Sequence, residues 1–139
     1  MIYVSNIEEF NSYEKDFLDI SSIVFKTLSL PVKDFSLSIV KQGKMKMLNK
    51  EYFNINLPTD VIALEYRDRA FAKFFIGDIF ICPAIIYRNA IVYNVDFMDE
   101  VNRAFVHGLL HILGFDHKEP LNNREKIFKI QEQILKDIK

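Results

Sequence analysis

The sequence predicts a single α+β domain, and three observations carry that expectation. Phe35, Leu37 and Ile39 alternate with Ser36 and Ser38, the period of two that belongs to a half-buried strand. Other stretches place apolar residues three and four apart, the period of an amphipathic helix. The two kinds of segment are mixed without strict alternation. Taken in order, Ile2 to Val4 make a short strand. Asn6 followed by Glu9 has the form of a capping box, and Phe10, Tyr13, Phe17, Ile20, Val24 and Leu28 continue a long helix until Pro31. After the strand at Phe35, a short helix runs through Met45, Leu48 and Tyr52. Pro58 separates it from the strand-like DVIALEY, and Arg67 to Arg69 form a turn before the second strand-like run, FFIGDIFIC. Pro83 suits the first turn of a helix that continues towards Asn94. Asp96 can cap the next helix, through Val101 and Phe105, and Ile127, Ile130, Ile134 and Ile138 mark the last.

With 139 residues and no repeat, low-complexity tract or Gly/Ser linker, the chain reads as one domain over 1–139. Half of it is hydrophobic and 27% charged, which excludes the composition of disorder. A net charge of −1 argues against nonspecific nucleic-acid binding by the whole surface, so any RNA contact must be local. The opening MIYVSNIEEF lacks a basic segment followed by an apolar one, and the longest apolar runs are cut by charges such as Asp78. The expectation is a cytoplasmic protein with no membrane span. The one cysteine, Cys82, fits that compartment as a buried, reduced thiol.

The chemistry is concentrated in HGLLHILGFDH, which holds all three histidines of the protein, His107, His111 and His117. Residues four apart share a helix face, so His107 and His111 can aim their imidazoles at one ion. At about 100° per residue, a continued helix would carry His117 about 240° away from His111. The helix must therefore stop, and Gly114 stands where a left-handed residue can end it and return His117 to the same point. Three neutral imidazoles with an open fourth position make a catalytic zinc site, one Zn2+ per chain. The competing reading is that the histidines pack or cap a helix; three at this spacing with glycine at the turn favour metal. The spacing also matches the metzincin peptidase pattern HExxHxxGxxH, but Gly108 stands where that pattern has glutamate. Glycine cannot take a proton from water, which makes a metzincin-like peptidase the less favoured reading.

The same segment resembles the YbeY family, which carries HGxLHLLGYDH. Upstream, LNKEYFNINLPTDVIAL resembles the family's LNxxYRxxxxPTDVLSF, IGDIFIC resembles its GDIxI strand, and IFKIQEQIL its final helix, so the likeness covers nearly the whole chain. The resemblance implies a mixed, mostly parallel sheet with one antiparallel strand, flanked by helices. It also implies a metal-dependent endoribonuclease specific for single-stranded RNA, acting on 16S ribosomal RNA of the small ribosomal subunit in ribosome maturation and quality control. The alternative is a zinc-stabilised ribosome-assembly factor that binds without cutting.

Two upstream carboxylates are the candidate catalytic residues. Asp60, after Thr59 at the mouth of a strand, and Asp78, interrupting an apolar one, could orient a zinc ligand or water. The structural reading is that Asp60 holds a turn and Asp78 satisfies a backbone group. Asp116 could support His117 or fix the turn. Lys41, Lys44, Lys46 and Lys50, with Arg67, Arg69 and Lys73, read chiefly as solvated faces. Where the family motif has YR, this chain has Tyr52 and Phe53, so a cation that could grip phosphate is replaced by a ring. That ring could leave the nuclease weak, stack on a base, or pack into the core.

Overall fold

The computed structural model of the chain describes residues 2–5, 13–66, 75–115 and 121–138. In order the elements are β1 (Ile2–Ser5), α1 (Glu14–Thr27), β2 (Asp34–Ile39), α2 (Gln42–Phe53), β3 (Val61–Glu65), β4 (Phe75–Ile81), α3 (Pro83–Tyr93), α4 (Phe97–Ile112) and α5 (Leu121–Ile138). Every expected helix and strand is present. The capping box at Asn6 and Glu9 and the turn at Arg67 to Arg69 lie outside the described residues.

Local chemistry explains the boundaries. In β2, buried Phe35, Leu37 and Ile39 alternate with half-buried neighbours. Pro83 opens α3, where its missing N–H has no helical partner to lose. Asp96 caps α4 by accepting a hydrogen bond from the Asp99 amide at 3.1 Å, and Asp99 and Glu100 place negative charge in that first turn. Asn54 and Asn94 end α2 and α3 in the left-handed region, at φ of 57° and 55°.

The strands form one four-stranded sheet in the order β1-β2-β4-β3. β1–β2 and β2–β4 are parallel and β3–β4 antiparallel, giving the mixed, mostly parallel sheet that was expected. The larger core covers one sheet face, where Phe35, Leu37, Ile79 and Ile81 meet α1, α4 and α5. Phe105 of α4 sits at its centre, its ring centroid 5.0 Å from that of Phe17 and 6.0 Å from that of Phe35. A smaller core covers the other face, where Met45 and Leu48 of α2 join Ile62, Phe80, Cys82 and Ile85. α4 lies very close to the antiparallel pair. A Cβ on Gly108 would stand 3.1 Å from Ile79 Cγ2 and 3.2 Å from Val61 Cγ2. One on Gly77 would stand 2.3 Å from the Leu64 carbonyl oxygen and 3.0 Å from Ile112 Cγ2. Bare backbone at these two places lets the end of α4 reach the outer edge of β3. Among the described residues no helix is long and apolar enough to cross a membrane.

Candidate metal centre and the cavity beside it

His107 and His111 lie one turn apart on α4, so their Cβ atoms share a face about 5–6 Å apart. The helix ends as the glycine predicts. Gly114 has φ of 104°, its amide donates to the His111 carbonyl at 3.0 Å, and the Phe115 amide donates to Leu110 at 3.0 Å. These two bonds are the Schellman pattern, which closes the open carbonyls of the last turn and reverses the chain. His117 and Asp116 follow immediately and lie outside the described residues. Among the described residues no three His, Cys, Asp or Glu side chains come together. Two of the three expected ligands thus stand on one helix face, ahead of the turn that leads to the third.

The orientation of the first is fixed from another element. Gln131 of α5 is buried, 7% exposed, and its Oε1 lies 3.1 Å from His107 Nδ1. A carbonyl oxygen there accepts from Nδ1–H in the tautomer that leaves the ring's lone pair on Nε2, one of the two nitrogens through which imidazole binds metals. His111 Nδ1 is buried as well, while the residue lines a cavity of about 640 Å³. Two imidazoles on one helix face, His107 in contact with Gln131 and His111 at a cavity wall, suit zinc by donor chemistry. Sequence reasoning missed Gln131. The signal was present: it falls within the apolar stripe of α5, four residues after Ile127 and three before Ile134.

The two candidate carboxylates are not brought to the histidines by any contact among the described residues. Asp60 Oδ1 accepts from the Val61 amide at 2.8 Å and the Thr59 hydroxyl at 3.2 Å, and the Asp60 carbonyl accepts from the Cys82 amide at 2.9 Å. Its side chain thereby occupies the first outward-facing amide of the edge strand β3. Asp78 accepts hydrogen bonds from Ser36 and Tyr66. Gly77 and Ile79 face α4, so alternation along β4 turns Asp78 to the opposite side of the sheet. Asp60 thus makes the turn contacts of the structural reading, whereas Asp78 is held by two side-chain hydroxyls and not by the backbone group which that reading named. Cys82 is buried at the start of α3, and burial raises its thiol pKa, so it stays protonated and unreactive at neutral pH.

The cavity lies at β3, the edge strand of the described sheet. Tyr52 and Phe53, from the end of α2, line it with Ala63, Tyr66, Phe75 and His111. Phe53 is 49% exposed, so it is not a core residue. Asn49 holds the following segment in place by donating to the Leu57 carbonyl at 2.9 Å.

Comparison with known proteins extends the likeness well beyond the histidine segment. The family model described as endoribonuclease YbeY matches residues 4–139. A protein named endoribonuclease YbeY from Aliarcobacter butzleri is 34% identical over 94% of this chain and 90% of its own length. Another of that name, from Treponema denticola, is 37% identical over 85% and 79%. The solution structure of a Thermotoga maritima protein superposes with a TM-score of 0.71 at 25% identity, over 99% of this chain and 89% of that one. A match along almost the entire sequence, on the fold and histidine helix just described, places the chain in the YbeY endoribonuclease family.

Proposed function

We propose that this protein is a zinc-dependent endoribonuclease that cuts single-stranded RNA in the cytoplasm, with 16S ribosomal RNA of the small ribosomal subunit as its substrate during ribosome maturation. The observation that carries the reading is His107, oriented by buried Gln131, on the same helix face as His111 at the wall of an open cavity. A zinc ion held by His107, His111 and His117 would supply Lewis-acid stabilisation of charge developing on a phosphoryl oxygen. The protein's own part is positional. Gln131 sets the tautomer of His107, the glycine turn aims the chain after His111, and the cavity receives the strand beside them. A peptidase reading is disfavoured further by Gly108, whose position against Ile79 and Val61 leaves no room for a carboxylate base.

One observation favours the second reading, an assembly factor that binds RNA without cutting it. No Lys or Arg is found among the described residues lining the cavity, where the family motif would place an arginine in the position of Phe53. Purified protein with stoichiometric zinc should cleave single-stranded RNA, lose that activity with chelator and regain it when zinc is restored. RNA bound but left intact by the zinc-loaded protein would establish the assembly factor instead.

A further inference from the structure

Among the described residues, the lining of the cavity beside His111 is unlike that of a phosphate site. Its walls are mainly rings: Tyr52 and Phe53 from α2, and Tyr66 stacked on Phe75 with centroids 5.8 Å apart and planes 23° from parallel. The charged side chain in its described lining is Glu65, an acid. Its size is that of a small-ligand site, which typically spans about 300–1,000 Å³.

The edge of β3 adds hydrogen-bonding groups. The Cys82 amide donates to the Asp60 carbonyl, and the Tyr66 amide donates to Ile76, so the even-numbered residues of this strand pair inward with β4. The odd-numbered ones, Val61, Ala63 and Glu65, turn their main-chain N–H and C=O outward. Asp60 occupies the amide of Val61, whereas Ala63 belongs to the cavity wall. Flat aromatic faces next to an outward strand edge are matched by a flat heteroaromatic ring with donors and acceptors on its rim.

Resting on the nuclease reading above, we propose that this cavity is a subsite for one unpaired nucleobase, which stacks on Phe53 and hydrogen-bonds the main chain of β3 at Ala63, so that the ribose-phosphate next to it lies at His111. The site then selects single strands because a base within a duplex cannot be splayed into it. Phe53 is a positioning residue here, supplying a face where the family motif has a cation.

The test is a binding cycle between protein and RNA. A short single-stranded oligoribonucleotide, and a set in which each nucleotide in turn is abasic, are bound to zinc-loaded protein on ice before cleavage advances, with anisotropy as the readout. One abasic position should weaken binding about 5- to 150-fold, the measured range for base–aromatic stacking. Phe53→Ala should lose a similar factor on the intact oligomer and lose nothing more on the abasic one. Phe53→Tyr should behave as wild type, and unchanged melting temperatures in both variants would exclude unfolding as the cause. An abasic penalty equally large in wild type and Phe53→Ala, or no sensitive position at all, overturns the subsite. Cleavage, followed separately on gels, decides the other reading: RNA held through Phe53 but never cut leaves the subsite standing and removes the nuclease.

Discussion

Gln131 Oε1 lies 3.1 Å from His107 Nδ1, and in the metal centre proposed above this contact would orient the histidine as a ligand. Groups that orient metal-bound histidines are commonly worth about 10- to 100-fold in metal affinity. Gln131→Ala should therefore weaken zinc binding by about that factor in a competition titration, while Gln131→Glu, which keeps an oxygen against Nδ1, retains most of it. Unchanged affinity in Gln131→Ala would show that the contact does not serve the metal. Asp78 gives the opposite expectation. Its carboxylate receives the hydroxyls of Ser36 and Tyr66 on the far side of the sheet, so Asp78→Ala strands two donors. The cost should be about 1–3 kcal/mol of unfolding free energy with zinc affinity unaltered. A variant with normal stability but lost activity would return Asp78 to the catalytic machinery.

At the level of elements, α4 does two jobs with neighbouring faces of one turn. His107 and His111 look towards the site, and Gly108 between them lies against Ile79 and Val61. The glutamate of a peptidase motif would here be driven into an apolar contact. Gly108→Glu should cost about 3–5 kcal/mol, as expected for a buried charge without a partner, and confer no peptide cleavage. Denaturant unfolding measures the first and a casein assay the second; a stable variant that digests casein would overturn this account of the glycine. Such close approach is also where sequence reasoning meets its limit. The turn at Gly114 was legible because it follows from helix period and one residue's conformational freedom. The helices, the alternation in β2 and the Asp96 cap were legible for the same reason, since each is set by neighbours within a few positions. The clasp on Asp78 was not, because Ser36 and Tyr66 reach it across strands whose order the periodicity does not contain. Gln131 was hidden likewise, by a separation of 24 residues from the histidine it holds.

For the whole molecule, metal and fold should be linked. Zinc that binds only the folded chain stabilises it by about 2.7 kcal/mol at a hundred times its dissociation constant. Removing it with chelator should lower the melting temperature by on the order of 10 °C in a domain of this size. Replacement of His107, His111 or His117 by Ala should abolish both the zinc and this shift; three variants with full zinc content would refute the site.

The contact between α4 and α5 has a further consequence in time. A ribosome adding about 5–20 residues per second needs about one to five seconds to pass from His107 to Gln131. During that interval the nascent chain carries its histidines without the residue that orients the first of them. Arg103 and Glu132 join the same two helices one residue further along, and Ile134 and Leu135 bury beside them, so orientation of the histidine and docking of α5 are one event. In the proposed metal centre, the orientation of His107 therefore waits for α5, which is made after both histidines of α4.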